Sequence, residues 1–340
     1  MNKPAEIKKY SPKDFETDQE VRWCPGCGDY AILKGVQMAL SNTGSTPENT
    51  VFVSGIGCSS RFPYYLSTYG FHTIHGRAPG FATGIKLTNP ELEVWLITGD
   101  GDGLSIGGNH MLHVLRRNVD IQIMLFNNEI YGLTKGQYSP TSKPGLKTPS
   151  SPLGSIDSPL SPCAFALGAG ARFVARGIDT SLKELPQTLA RAKEHKGASF
   201  VEIFQNCIVY NDNVFGEFTE KKTAKDTQIY ARHGEKLLFG KDIPKGIRFN
   251  AEKFALEVVT IGEDGITEDD ILVHDETNRH MAVMLCEMEA PDFPVVCGVI
   301  YCNPLESYDQ AVHYQINQAK QAKKADFKAL LHSGRTWVVT

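Results

Sequence analysis

Five short, mainly apolar runs punctuate this chain: Val51-Phe52-Val53, Val94 to Ile97, Ile121 to Phe126, Phe173-Val174-Ala175 and Phe200 to Phe204. Their lengths suit strands, and continuous rather than alternating apolarity suits strands covered on both faces. Segments with helical spacing interleave with them: Tyr30 to Leu40, stopped by Asn42-Thr43-Gly44, then Ala82 to Leu87, Ile106 to Arg117, Pro162 to Gly168 and Leu182 to His195. Strands alternating with helices predict an α/β fold, a parallel sheet with helices on both faces. With 340 residues, 41% of them hydrophobic, a core of that size forms without disulfides. Lys+Arg total 35 against 39 Asp+Glu, so no net basic field recruits nucleic acid. The longest apolar runs fall far short of the roughly 20 residues that cross a bilayer. Met1 to Lys9 lacks the apolar segment of a secretory signal. The expected setting is cytoplasmic, without membrane or nucleic-acid partners, where the 8 Cys read as thiols or metal ligands before disulfides.

Gly99-Asp100-Gly101 directly follows the Val94 to Ile97 strand, and Asn127-Asn128 directly follows Ile121 to Phe126. A βαβ unit of this kind puts both polar groups at the carboxyl ends of parallel strands, where open sheets form their ligand crevice. The Asp100 carboxylate, the Asn128 amide oxygen and the Ile130 carbonyl are hard oxygens of the kind Mg²⁺ takes, usually together with phosphate oxygens and water. Gly101, Gly103, Gly107 and Gly108 would let backbone N–H groups approach those phosphates. A Walker A loop lacks its Gly-Lys-Ser/Thr here, an EF-hand starting at Asp100 fails at Leu104 and Ser105, and Leu104 replaces the third glycine of a dinucleotide fingerprint.

Trp23-Cys24-Pro25-Gly26-Cys27-Gly28 has the spacing of a thioredoxin-like pair, but that motif follows a buried strand and Asp14 to Arg22 is too charged to be one. Zinc usually shows a second close pair, whereas Cys58 and Cys207 stand apart. A vicinal pair with two distant thiols also fits four ligands of an iron–sulfur cluster, and spacing leaves the choice open. Cys163, Cys286, Cys297 and Cys302 lie in apolar surroundings and read as inert core thiols. Tyr138 to Pro162, dense in Ser, Pro, Thr and Gly, reads as a long loop or lid. Beyond Cys207 the chain turns polar up to Lys241, with strand candidates at Leu256 to Ile261 and Val295 to Val299, and Lys320 to Lys328 reads as a solvated helix face. The expected division is an N-terminal arm over 1–22, a main domain over 23–209, and a smaller C-terminal lobe and tail over 210–340.

The strings from Gly99 to His110 and from Asn127 to Gln137 resemble the thiamine diphosphate motif of the β subunits of 2-oxoacid:ferredoxin oxidoreductases, especially the 2-oxoglutarate type. The likeness runs from about Trp23 to Cys207. It implies thiamine diphosphate held through Mg²⁺ on Asp100, Asn128 and the Ile130 carbonyl, and one [4Fe–4S] cluster on Cys24, Cys27, Cys58 and Cys207. It also implies cofactor contacts from Gly57, Ser59, His75, Gly76, Gly99, Gly101, Gly132, Leu133 and Thr134. Asp102 is either a further contact or an ordinary turn carboxylate. Arg61, three residues after Cys58, is expected to face the 2-oxoacid through its bidentate fork, with Leu133 lining the substrate side and His75 at the cofactor's reactive end.

The implied reaction is coenzyme A-dependent oxidative decarboxylation of 2-oxoglutarate to succinyl-CoA, or its reductive reverse, with ferredoxin as electron partner. Alternatives are a pyruvate-preferring or broad 2-oxoacid enzyme, a non-oxidative thiamine enzyme, and an electron-transfer subunit with no chemistry of its own. No segment reads as the pyrimidine-binding domain that supplies thiamine enzymes with their activating glutamate. An α subunit is therefore expected to carry it, in a heterotetramer of two α and two β chains.

Overall fold

The computed structural model describes residues 9–322 and 325–339. The Met1 to Lys8 part of the arm, and Lys323 and Lys324 of the Lys-rich tail, lie outside them. Eight strands form the main sheet: β1 (Thr50–Ser54), β2 (Tyr69–His72), β3 (Glu93–Gly99), β4 (Gln122–Asn127), β7 (Phe173–Ile178), β8 (Ser199–Phe204), β9 (Gln228–Ala231) and β13 (Val295–Cys302). Two further strands, β5 (Ile130–Tyr131) and β6 (Gln137–Tyr138), make a small antiparallel ribbon. The remaining three, β10 (Leu238–Phe239), β11 (Lys245–Asn250) and β12 (Ala255–Thr260), form an antiparallel sheet of their own.

The main sheet runs β2-β1-β3-β4-β8-β7-β13-β9, parallel throughout except where β13 meets β7. In β1, β4 and β7 every residue is buried. Successive side chains of a strand point to opposite faces, and the core divides accordingly. Val51, Leu96, Ile123 and Phe200 pack with helices α2 (Ala78–Thr88), α4 (Gly108–Arg117) and α5 (Pro162–Gly168). Phe52, Trp95, Met124 and Val201 pack with α1 (Asp29–Asn42) and α6 (Leu185–Glu194). The sheet is thus covered on both sides, as its apolar runs require.

Three features depart from the sequence expectation. β2 is exposed along its whole length, so no apolar run marks it. Gly99 leads first into a short helix, α3 (Asp100–Leu104), and only then into α4. Cys302 is half-buried, unlike Cys163, Cys286 and Cys297. Residues 9–22 lie against the body, with Phe15 fully buried and Glu16 bridging to Leu66. Beyond residue 209, β9 and β13 enter the same sheet as the strands before it.

Candidate functional site

Because β1, β3, β4 and β8 are parallel neighbours, the residues that leave their carboxyl ends lie along one edge. A cleft of about 480 Å³ opens there. Asp100, Asn128, Ile130, Gly99 and Gly101 line it, as do Gly57, Ser59, His75, Asp102, Gly132, Leu133 and Thr134. Gly76 and Arg61 do not.

Asp100 is buried, and burial pushes its carboxyl above the usual range. Its Oδ2 accepts hydrogen bonds from Ser139 Oγ and Thr141 Oγ1, both at 2.6 Å, so the first residues of the long loop clamp one oxygen of the carboxylate. The chain reverses after Asn128 through Glu129, which takes φ 55°, and the Ile130 N–H donates to Asn128 Oδ1 at 3.2 Å. A Cβ on Gly101 would stand 2.2 Å from the Tyr131 ring, whose hydroxyl donates to the Gly101 carbonyl at 3.1 Å. One carboxylate, one amide oxygen and one peptide carbonyl on a common cleft match the hard-oxygen preference of Mg²⁺, so these residues fit a magnesium-bridged diphosphate.

Asp102 has a different occupation. Its Oδ1 accepts the backbone N–H groups of Ile56 (3.0 Å) and Gly76 (2.7 Å), and its Oδ2 accepts from Thr98 Oγ1 (2.7 Å). His75 Nδ1 lies 2.8 Å from the same Oδ1. The carboxylate therefore ties the loop after β1 and the turn before α2 to the end of β3. Gly55 must lack a side chain because a Cβ there would sit 2.1 Å from this carboxylate. Gly76, with φ +68° and backbone-to-backbone packing on Gly107, serves the same knot rather than the cleft. Gly103 and Gly107 are likewise small for packing, against Thr98 and the Asp102 carbonyl.

Cys24, Cys27, Cys58 and Cys207 meet around a second cavity of about 230 Å³. Cys24 and Cys27 are brought together by a tight turn in which the Cys27 N–H donates to the Cys24 carbonyl and Gly26 takes φ +85°. The Trp23 indole N–H, donating to the Cys58 carbonyl at 2.7 Å, pins that turn to the loop after β1. From the Cβ position of Gly132, Cys58 Sγ and Cys207 Sγ are each 3.5 Å away. Burial, with Asp29 next, raises the Cys27 thiol and pushes Cys58 up to about 12. Such thiols give up their protons to a metal rather than to water. Among the described residues no three His, Cys, Asp or Glu side chains close on a point that suits a single ion. The four thiols instead frame a volume, which fits a cluster.

Cys58, Asn128, Gly132, Leu133 and Gln205 line both cavities. Arg61 borders the cysteine cavity and an outer cleft with Arg22, Tyr64 and His72, and its Nη1 donates to the Arg22 carbonyl at 3.4 Å. The sequence reading overlooked Gln205, Tyr131, Ser139 and Thr141. Gln205 stands just past the end of β8, level with Asn128 past β4, and the row of strand ends was the signal that could have found it.

The likeness to known proteins follows the same geometry. Residues 55–203 match the thiamine pyrophosphate enzyme, C-terminal TPP binding domain family. Over 342 residues, 99% of this chain and 90% of the relative, the chain is 47% identical to the 2-oxoglutarate oxidoreductase subunit KorB of Mycobacterium tuberculosis. Over 205 residues, 60% of this chain and 67% of the relative, it is 47% identical to the 2-oxoacid:ferredoxin oxidoreductase subunit beta of Saccharolobus solfataricus. A solved 2-oxoglutarate:ferredoxin oxidoreductase from Magnetococcus marinus, with 2-oxoglutarate, coenzyme A and succinyl-CoA bound, superposes with a TM-score of 0.78 at 31% identity, covering 98% of both chains. The chain belongs to the family of 2-oxoacid:ferredoxin oxidoreductase β subunits and is an oxidoreductase subunit.

Proposed function

We propose that this chain is the β subunit of a 2-oxoglutarate:ferredoxin oxidoreductase, working with thiamine diphosphate, Mg²⁺ and one [4Fe–4S] cluster. The observation that carries the reading is the common wall between an oxygen-lined cleft and a four-cysteine cavity. Asp100, Asn128 and the Ile130 carbonyl would hold the ion, and Cys24, Cys27, Cys58 and Cys207 the cluster. When bound, thiamine diphosphate supplies a carbanion for attack on a 2-oxoacid ketone and an electron sink for the pair released with CO₂.

The chain's own residues orient and shield. The Asp102 knot holds, through the Gly76 N–H, the turn that carries His75 to the cleft. Leu133 stands in the wall between the cofactor cleft and the cysteines, and Thr134 lines the cofactor cleft beside it, where an acyl group would sit. Arg61, beside the cysteines, is placed to offset the negative charge of a cluster. Overall, 2-oxoglutarate and coenzyme A give succinyl-CoA, CO₂ and a proton, and two electrons leave singly to two ferredoxins. No Glu is among the described residues that line the cleft, so the carboxylate that activates the aminopyrimidine would come from an α subunit. An αβ pair gives each cleft such a partner, and two such pairs are proposed to associate.

The test is acid-extract analysis of the purified complex for thiamine diphosphate, iron and a partner chain, with kcat/KM compared for 2-oxoglutarate and pyruvate. Cofactor, iron and a preference for 2-oxoglutarate are expected. An iron-free active complex would sink the cluster assignment, and faster turnover of pyruvate would sink the substrate.

A further inference from the structure

We propose that Gln205 couples the two chambers, fixing which atom of Asn128 faces the cofactor side and donating a hydrogen bond to Cys27. This rests on the reading above, in which Asn128 holds magnesium and Cys27 a cluster. Gln205 is buried, with Nε2 2.6 Å from the Asn206 carbonyl and 3.3 Å from Cys27 Sγ, while its Oε1 accepts from Asn128 Nδ2 at 2.7 Å.

The orientation of both amides follows from one peptide group. A backbone carbonyl only accepts, so the nitrogen end of Gln205 must face Asn206. Its oxygen then faces Asn128, which must answer with its own nitrogen. The Asn128 oxygen is left on the opposite side, where it meets the Ile130 N–H. A flipped Asn128 would set oxygen against oxygen at Gln205 and N–H against N–H at Ile130. Gln205 therefore determines that the group Asn128 presents on the Ile130 side is the oxygen a magnesium ion can use. Outer partners of metal ligands act in this way, fixing the orientation of the ligand rather than touching the ion.

The second N–H of the same amide points at Cys27 Sγ. A hydrogen bond to a cluster sulfur stabilises the reduced, more negative state and raises its potential. Gln205 is thus a positioning residue on one side and a potential-setting donor on the other.

The test uses the complex assembled with its partner subunit. Gln205→Met keeps the bulk and removes the amide. It should shift the cluster's midpoint potential downward in a spectroelectrochemical titration and raise the Mg²⁺ dissociation constant, measured at fixed thiamine diphosphate, by roughly 10–100-fold. Gln205→Glu, assayed at a pH where this buried carboxyl is protonated, separates the two roles: its one O–H goes to the Asn206 carbonyl, its other oxygen still accepts from Asn128, and nothing is left to donate to Cys27. The potential should fall while magnesium binding stays at or above wild type. If the Met variant does not assemble, the Glu variant carries the test.

An unchanged potential with iron content intact overturns the link to the cluster. Wild-type magnesium affinity in Gln205→Met, or in the Glu variant a loss as large as that expected of Met, overturns the orientation role. A wild-type complex without iron, or an Asp100→Ala complex that keeps its cofactor, sinks the site reading itself whatever Gln205 does.

Discussion

Adding one methyl group at Gly101 should damage the cofactor cleft more than its size suggests. The new Cβ would lie 2.2 Å from Tyr131 Cε1 and 2.4 Å from Cζ, where carbon atoms normally rest about 3.5–4.0 Å apart. The ring must withdraw by more than about 1 Å, and its hydroxyl then loses the Gly101 carbonyl. Overpacking costs about 1–3 kcal/mol and the hydrogen bond about 0.5–1.5 kcal/mol, shared between fold stability and cofactor binding. Gly101 is helical, so Ala brings no backbone strain, and the effect is steric alone. Gly84, inside α2 with nothing within 4 Å of its Cβ position, is the counterpart. Gly84→Ala should stabilise by about 0.5–1 kcal/mol. Isothermal titration with thiamine diphosphate and Mg²⁺, together with thermal melts of the complex, measures both. Gly101→Ala should bind cofactor at least tenfold more weakly, and the penalty should shrink in a Tyr131→Ala background, where the ring is gone. Wild-type affinity and melting temperature in Gly101→Ala, or an equal penalty with and without the ring, would refute the steric argument.

Other perturbations test the rest of the site. Cys207→Ser should lower iron content and 2-oxoacid-dependent viologen reduction, whereas Cys163→Ser, buried beside Glu202 at 3.2 Å, should leave iron unchanged; four irons retained in Cys207→Ser would remove it from the ligand set. Asp29 is fully buried, and burial, only partly offset by the Cys27 thiol, pushes its pKa to about 7. The unfolded value is near 3.9, so the folded chain holds the extra proton and stability should fall as pH rises from about 4 to 7. Asp29→Asn should flatten that slope and gain at most about 4 kcal/mol at pH 8, and parallel melting curves for the two proteins across this range would exclude the effect. Asp102→Ala removes the acceptor of the Ile56 and Gly76 backbone N–H groups and of the Thr98 hydroxyl. It should cost about 1–3 kcal/mol in stability and loosen the cofactor, read by melting and by retention of thiamine diphosphate on desalting.

The central strands were legible because burial on both faces leaves dense apolar runs, unbroken at Val94 to Ile97 and interrupted at Phe200 to Phe204 only by Glu202, which pairs with buried Arg176. β2 was not, because Tyr69 to His72 lies exposed at the sheet's edge and pairs only through its backbone with β1. The placement of Asp100 and Asn128 at strand ends was legible for a topological reason: a parallel sheet delivers both to one edge. The role of Asp102 was hidden, since it depends on N–H groups of Ile56 and Gly76 that come from other segments of the chain. Arg61 shows the limit of spacing most clearly. Its nearness to Cys58 was evident, but Ser59–Tyr65 is a 3₁₀ helix, in which residues three apart eclipse. Arg61 therefore shares the side of Cys58 that faces the cysteines, while Ser59 lines the cofactor cleft.

The arrangement also accounts for why one chain would hold both centres. A reaction that frees an electron pair, coupled to carriers that take one electron each, needs its first acceptor within a short reach of the reacting carbon. In this fold the reach is a single layer: Gly132, Leu133 and Gln205 are wall to the cofactor cleft on one side and to the cysteines on the other. At Gly132 that layer is one backbone thick, with a Cβ position in van der Waals contact, 3.5 Å, with both Cys58 and Cys207 Sγ. The loops that build the layer leave β1, β4 and β8, so the parallel edge that gathers Asp100 and Asn128 also gathers Cys58 and Cys207. Cys24 and Cys27 arrive separately, from the turn before α1, held by the Trp23 indole and by the Gly28 N–H donating to the Asn206 carbonyl. That carbonyl also accepts from Gln205 Nε2, so the turn carrying two of the thiols and the amide that meets Asn128 are registered against the same peptide group.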